Sequence, residues 1–266
     1  MPQTAVITGS TKGIGFGLAR EFASRGWNVV ITGRSDESVN AALGSLEKED
    51  GRVIGQPCNV AENDQLQALW DFAIDAFNTV DIWINNAGLA RTQWSILDTP
   101  DSEIHTMITT NMLGTIGGSK IAAKGMVSVG YGKIFNMLGG GSDGEYFPGM
   151  GIYGTTKRGL NYYSDALAKE LKDTGVLVGK IRPGMIVTEA VVREAQEDLE
   201  RFQKSRKFMN TLVDQVETVS PFLVDQMIGF EKTGAKIAWL NTFKIMGRIV
   251  KNMISKRPDQ FERFGL

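Results

Sequence analysis

A doubly wound α/β fold, with a parallel sheet of about seven strands and helices on both faces, is predicted by three observations. Short β-rich runs alternate with helical patterns from Thr4 to Ile181, the mark of successive βαβ units. The first strand, Thr4 to Thr8, opens at once into a glycine-rich turn and a helix. The length, 266 residues, suits one such domain with a sizeable core.

The elements follow in order. After the first strand comes a helix from about Gly13 to Arg25, a strand from Asn28 to Thr32, and a helix across Ser35 to Glu49. Val53 and Ile54 mark a third strand, and Glu62 to Phe77 a helix with Leu66, Leu69, Trp70 and Ala73 turned inward. Asp81 to Ile84 is the fourth strand. A long helix then runs from Asp101, its N-cap just after Pro100, to about Gly125. Lys133 to Asn136 is the fifth strand. A helix from Ile152 to about Lys172 follows, burying Leu160, Tyr163, Leu167 and Leu171 at spacings of three and four. Val176 to Ile181 is the sixth strand, and Ala235 to Leu240 is read as the seventh. The chain divides into a core over residues 1–188, a mostly helical substrate lid over 189–233, and a last strand with a C-terminal amphipathic helix over 234–266.

Composition excludes several classes. The net charge of -1 offers no basic field for nucleic acid. A single cysteine, Cys58, gives no internal disulfide framework and fits a reducing compartment. No run of about 18 apolar residues suggests a spanning helix. The N-terminus enters a strand without a signal-peptide pattern, so a cytoplasmic location is expected. Glycine is abundant, 31 of 266 against a usual ~7%, which suggests tight turns beside a ligand.

Ligands of doubly wound sheets bind at the carboxyl ends of the strands, so these ends are read first. The first is Thr8-Gly9-Ser10-Thr11-Lys12-Gly13-Ile14-Gly15, whose glycines let the backbone approach a pyrophosphate at a helix N-terminus. The second strand ends Thr32-Gly33-Arg34-Ser35. It lacks the acid that would accept from a ribose 2′-hydroxyl and carries instead an Arg able to fork onto a 2′-phosphate, with Lys12 as a second cation. NADP(H) is therefore expected over NAD(H). Asn59 and Val60 end the third strand, Asn59 toward the adenine edge, with Cys58 as an apolar filler. Asn85-Asn86-Ala87-Gly88 end the fourth, where small residues suit close approach to a ribose.

Tyr153 and Lys157 stand four apart on one helix, so both side chains can share a pocket. A positive charge ~4 Å from the phenol at an effective dielectric of ~20 is worth about 4 kcal/mol, enough to draw a tyrosine toward the working range of a general acid. His105, the single histidine, has no metal-ligand companions, and no metal is expected. Asp143 and Glu145 are read as solvated or substrate-rim groups.

Together these residues resemble the short-chain dehydrogenase/reductase family. The likeness covers residues 4 to about 188 and rests on TGxxxGxG at Thr8 to Gly15, NNAG at Asn85 to Gly88, Asn111 in the long helix, YxxxK at Tyr153 and Lys157, and Pro183-Gly184 with Thr188 beyond. The resemblance implies a Rossmann-type fold and hydride transfer between a nicotinamide and a carbonyl or alcohol. It implies that Tyr153 donates the proton, that Lys157 lowers its pKa and holds the ribose, and that Asn111 anchors a relay water. It also implies that the segment Pro183, Gly184, Ile186 and Thr188 lines the nicotinamide and its phosphates, and that the protein is a homodimer or homotetramer.

One departure stands out. The family's fifth strand leads into a Ser that polarises the substrate oxygen. Here Gly140 occupies that position, thirteen before Tyr153, and the nearest hydroxyl is Ser142, eleven before it. The flexible glycines are expected to let Ser142 take the role. This stretch, with DIWINNAG at Asp81 to Gly88, IFNM at Ile134 to Met137 and PGM at Pro183 to Met185, resembles the chlorophyll b reductase branch, which reduces a formyl group on a chlorin ring. The likeness continues through Glu217-Thr218-Val219 and Gly234-Ala235-Lys236.

The tail is where substrate choice is expected. Glu189 to Lys207 reads as a charged lid, and Val219 to Phe230 carries a wide apolar face. Met137, Met150 and Met185 fall near the predicted cleft, where thioethers suit an irregular apolar ligand. Phe243 to Ile254 mixes apolar residues with Lys244, Arg248 and Lys251, followed by Lys256 and Arg257; such a helix packs on a neighbouring subunit or, less favoured, lies on a membrane surface. Three readings follow: a reductase of a bulky apolar carbonyl, a relative acting on a small acyl, sugar or steroid substrate, and a non-catalytic NADP(H)-binding protein.

Overall fold

The computed structural model describes residues 2–255 and 257–266; Lys256 of the basic tail lies outside the described residues. A seven-stranded parallel sheet forms the centre. Its strands are β1 (Thr4–Ile7), β2 (Asn28–Gly33), β3 (Val53–Pro57), β4 (Ile82–Asn85), β5 (Gly132–Met137), β6 (Val176–Arg182) and a late strand (Lys236–Ala238), in spatial order β3-β2-β1-β4-β5-β6-late strand. The chain steps outward one way from β1 to β3, then crosses back so that β4 pairs β1 on its other side. That reversal opens a crevice between the ends of β1 and β4, where α/β sheets hold their ligands.

Why these segments become strands is plain in their surroundings. Every residue of β1 and β4 is buried, and their runs (TAVI, IWIN) are those of strands covered on both sides. Helices α1 (Gly13–Ala23) and, late in the chain, Val216–Ile228 cover one face, with Leu18, Phe22, Leu223 and Val224 in the same core as Ile7 and Ile31. The other face is covered by α3 (Asn63–Phe77) and α5 (Gly114–Val129), with Leu66, Leu69, Ala73, Ala122 and Met126 packed on Val6 and Trp83. Between α1 and α3 lies α2 (Asp36–Gly44), capped by Ser35, whose side chain accepts from Ser38 N.

The segment expected as one long helix is broken in kind. It begins as α4 (Asp101–Met107), widens to a π-helical turn at Ile108–Leu113, and continues as α5. Pro100, not Asp101, sits at the N-cap position, and Asp101 is a first-turn acid facing the positive end of the helix. Helix α6 (Gly151–Glu170) carries Tyr153 and Lys157.

Beyond β6 the lid is two helices, α7 (Glu189–Glu197) and α8 (Leu199–Leu212), broken at Asp198, whose extended φ of −141° ends the first. The excursion leaves and re-enters through a two-stranded parallel ladder, β7 (Ile186–Val187) with β8 (Asp214–Gln215), unforeseen in the sequence. It is followed by α9 (Val216–Ile228), the strand Lys236–Ala238 as β9, and α10 (Thr242–Ile254). Val187, Ala195, Phe202, Val213 and Phe261 give the lid a small core of its own.

Asp214, at the foot of β8, is 2% exposed. It takes ion pairs from Arg248 of α10 at 2.7 Å and Arg257 at 2.6 Å, and a hydrogen bond from Trp239 Nε1. The basic residue at the middle of α10 is thus turned inward, and Phe243, Met246, Val250 and Ile254 face out. Among the described residues no helix is long and apolar enough to cross a membrane.

Candidate active site

The glycine turn after β1 is built for close approach. Gly9 and Gly13 have φ of +61° and +58°, the left-handed region that side chains avoid. A Cβ on Gly15 would stand 2.4 Å from Asn86 Nδ2, so the turn and the NNAG segment fit only with hydrogen there. Asn86 Nδ2 donates to the carbonyls of Thr8 and Gly9 at 2.9 and 2.8 Å, and Thr8 Oγ accepts from the amides of Asn86 and Ala87, both at 3.0 Å. The two ends of the crevice are thereby sewn together.

At the head of α1, Lys12 provides no side-chain cap and the first turn has no acid, leaving the positive helix end open to an anion. A cleft of about 300 Å³ lies over it, lined by Gly9, Thr11, Lys12, Gly13, Ile14, Gly15, Arg34, Asn59, Val60, Asn86, Ala87, Gly88 and Thr188. Bare backbone donors, small residues and two cations at its walls fit a dinucleotide phosphate. Two expected residues serve the frame. Ser10 is fully buried, donating to Ile7 O at 2.6 Å and accepting from Thr32 N at 3.0 Å; Ser35 caps α2. The Asn59 side chain accepts from Ala61 N, and Pro183, Gly184 and Ile186 lie outside this cleft's lining.

Residues the sequence reading passed over also line it: Arg91 from the loop after β4, Thr110 from the π turn, and Glu189 and Arg193 one turn apart on α7. Thr92 and Gln93 bond Glu194 and Glu197 of α7, so loop and lid close over the cleft together. No local pattern marks these residues in the sequence, since only the fold brings residues 91 and 193 to one wall.

Tyr153 and Lys157 lie where β5 and α6 meet. Lys157 is 4% exposed; its Nζ donates to Met137 O at 2.9 Å and stands 5.7 Å from the centre of the Tyr153 ring. Its nitrogen also reaches toward Gly88, where a Cβ would be 3.6 Å away, beside the predicted ribose wall. The phenol does not move as the sequence suggested. Burial pushes Tyr153 up to about 12 and Lys157 down to about 8. Desolvation by burial is the cause of both shifts, and the ammonium is turned to a carbonyl.

Asn111 is placed by the π turn. Its Oδ1 accepts from Leu89 N at 2.7 Å, and its Nδ2 donates to Leu89 O and Thr156 Oγ at 2.9 and 3.1 Å. Thr156 Oγ in turn donates to Tyr153 O. Beneath the site lies a buried network unforeseen in the sequence. Asn85 Nδ2 donates to Ser119 Oγ and Asn136 Oδ1, Asn136 Nδ2 donates to Ser164 Oγ, and Trp83 Nε1 donates to Asn85 Oδ1, all at 2.8–2.9 Å.

The glycine run after β5 is arranged differently from the expectation. Gly139, rather than Gly140, abuts the phenol: a Cβ there would stand 2.1 Å from Tyr153 OH. Ser142 is 0% exposed, its hydroxyl has no hydrogen-bond partner among the described residues, and its carbonyl accepts from Arg158 and Asn161, farther along α6 than Tyr153. Asp143 and Glu145, read as solvated or rim groups, are ion-paired: Arg182 holds both, and Lys236 holds Asp143 as well. Met150 packs over Gly140, but Met137 is in the core and Met185 packs in the lid. His105 is exposed on α4, and Cys58 is buried, its thiol pushed up to about 11 by burial. The described residues contain no group of three or more His, Cys, Asp or Glu able to hold a metal.

A second hollow of about 350 Å³ lies behind Gly13, between α1 and α9, and Arg263 there pairs with Glu217 at 3.2 Å. It contains none of the residues around Tyr153.

The family model described as short chain dehydrogenase matches residues 3–199. The chain belongs to the short-chain dehydrogenase family. Among this family's curated members it is 39% identical over 230 residues to chlorophyll(ide) b reductase NOL of rice (Oryza sativa), covering 84% of this chain and 66% of that protein. To the probable chlorophyll(ide) b reductase NYC1 of Arabidopsis thaliana it is 31% identical, covering 96% of this chain and 54% of the relative. The chain thus spans about half to two thirds of these relatives. Among solved structures, actinorhodin polyketide ketoreductase with NADPH superimposes at a TM-score of 0.81 with 25% identity, covering 90% of this chain and 95% of that one. Levodione reductase, at 0.83 and 20% identity over 91% of this chain and 97% of its own, shows the same short-chain dehydrogenase fold. The likeness to the chlorophyll b reductase branch read from the glycine run and its neighbours agrees with these relatives.

Proposed function

We propose that this short-chain dehydrogenase is an NADPH-dependent reductase that converts the carbonyl of a bulky, apolar substrate to an alcohol, a formyl group on a chlorin-like ring being the leading candidate. The observation that carries it is the pairing of a protonated Tyr153, with Lys157 behind it, with a cation-walled cleft that has no acid at the end of β2. The reductase activities for which the relatives are named, and the NADPH in the polyketide ketoreductase crystal, support it.

The residues divide the work. Gly9, Gly13 and the head of α1 receive the pyrophosphate; Arg34 and Lys12 receive a 2′-phosphate. When bound, the reduced nicotinamide supplies a hydride. Tyr153 supplies the proton: with its phenol held near about 12 it is protonated at every ordinary pH, which suits giving a proton to a nascent alkoxide. Lys157, charged below about 8, stands between the phenol and the ribose wall. Asn111, held at three points, fixes the backbone of Leu89 at the cleft's edge.

Two exposed apolar residues near Tyr153, Ile96 against Gly151 at the head of α6 and Phe147 beside Gly140, favour a large flat substrate over a small acyl or sugar. The test is NADPH and NADH titration followed by oxidation assays with small and polycyclic aldehydes. Binding of NADPH at least tenfold tighter than NADH, and turnover rising with aldehyde size, is expected; tighter NADH binding, or no turnover with any aldehyde, rejects the reading. Reversing Arg34 to Asp should remove the NADPH preference.

A further inference from the structure

Carbonyl reduction needs something besides the phenol to polarise the oxygen, and the side chains around Tyr153 are otherwise engaged. Both hydrogens of Asn111 Nδ2 are used, on Leu89 O and Thr156 Oγ. Lys157 is turned to Met137 O. The Thr156 hydroxyl donates to Tyr153 O. Ser142, the nearest serine, is fully buried and its hydroxyl touches no partner, Tyr153 included. What abuts the phenolic oxygen is the backbone of Gly139, close enough that even a methyl group there would collide at 2.1 Å.

This backbone has donors to spare. Leu138 N is spent on Ile181 O at 2.8 Å, and Ser142 N closes a turn on Gly139 O at 3.2 Å, with Gly141 at φ +85°. Among the described residues, no hydrogen bond uses the amides of Gly139 or Gly140. Both residues are partly exposed, and a Cβ on Gly139 would meet the Tyr153 phenol, one on Gly140 the Met150 side chain. Fixed backbone amides beside a reacting oxygen are among the strongest stabilisers of developing negative charge, because they need no reorganisation.

We propose that the amides of Gly139 and Gly140 form the oxyanion site of this enzyme, performing with backbone what a serine hydroxyl performs in the family pattern; the inference rests on the carbonyl-reductase reading above. In the step itself the reduced nicotinamide held in the cleft would supply a hydride to the carbonyl carbon, becoming the oxidised cofactor. The π-electron pair moves onto oxygen, the two amides hold that oxygen, and it takes the phenolic proton of Tyr153. Solvent then returns a proton to the phenolate. The absence of a side chain at Gly139 is thus a requirement: any Cβ would push the phenol away from the oxygen it serves.

The test replaces one amide at a time by an ester, incorporating glycolic acid at position 139 or 140 of the full chain, and compares kcat for a polycyclic aldehyde with the Kd for NADPH. Loss of an oxyanion donor costs about 10²–10³ in rate. A fall of about that size at one or both positions with unchanged NADPH binding is expected, and Ser142→Ala should stay within about twofold. Esters at both positions that leave kcat within about twofold, or a hundredfold loss in Ser142→Ala, would overturn the inference while leaving the reductase reading intact; a wild-type protein inactive with every aldehyde overturns both. A measurement on unaltered protein stands beside these, guarding against esters that fail to fold. In the complex with NADP⁺ and 1-naphthylmethanol, the Gly139 or Gly140 amide proton should move downfield relative to NADP⁺ alone, and a shift at neither would also overturn the inference.

Discussion

Lys157 titrates where activity can report it. Burial lowers it to about 8, so its charge is present below that pH and lost above it, while Tyr153 stays protonated well past it. The pH profile of kcat/KM for reduction should therefore be flat through neutrality and fall as pH rises through about 8. Lys157→Arg, which cannot lose its charge in this range, should abolish that fall even if its plateau is lower. A profile in which the variant falls at the same pH as wild type would assign the limb to another group. The same two residues show where sequence reasoning overreached. Spacing put phenol and ammonium on one face, and the structure brings them together. Spacing could not say that Met137 O would claim the ammonium or that desolvation would dominate.

At the scale of elements, the polar network of Asn85, Ser119, Asn136 and Ser164 fastens β4, β5, α5 and α6 under the site. These groups are at most 2% exposed, so removing one leaves its partners without hydrogen bonds in a dry setting, at a cost of about 1–3 kcal/mol. Asn136→Ala should lower unfolding free energy by about that amount in urea titration and reduce kcat by loosening the loop that begins at Gly139; unchanged stability would show that water enters to replace the amide. The strands, their order of appearance and the helix bearing Tyr153 were legible because alternation, glycine placement and apolar spacing are local signals. The two-stranded ladder at the foot of the lid, the π turn and the ion pairs of Asp143 and Glu145 were not, since each depends on partners far away in the chain: Asp214 meets Met185, and Asp143 meets Lys236.

For the whole molecule, Asp214 is the post to which the last turn of the chain is tied. Burial pushes its carboxyl up, but the hydrogen bonds from Trp239 and Arg248 and the charges of Arg248 and Arg257 outweigh this and hold it below the ordinary carboxylate range. With the folded value below the unfolded ~3.9, its contribution is complete above that pH and lost as pH falls through the folded value. Asp214→Asn should destabilise the protein at pH 7 by about 3 kcal/mol, the lower end of what breaking a buried ion pair costs. The gap from wild type should shrink progressively in acid; a gap independent of pH would mean that packing, not charge, holds the tail. The candidate site was legible to the extent that it is contiguous: the glycine turn, NNAG and YxxxK each lie within a few residues. Its rim was not, because Arg91 and Arg193 come from segments about a hundred residues apart that only the closed sheet aligns.

The wide turn at Ile108–Leu113 has a consequence for how this helix tolerates length changes. A π turn absorbs one extra residue into an otherwise regular spiral. Excising one residue there would restore uniform winding with both flanking faces kept in phase, whereas excising one from the regular spiral of α5 would swing everything on the α4 side by about 100° about the axis. Arg91's carboxylate partner, Glu103, would then face a different quarter. The bulge acts as a phase adjuster, letting two lengths of one rod present independent faces, one to the cleft mouth and one to the sheet.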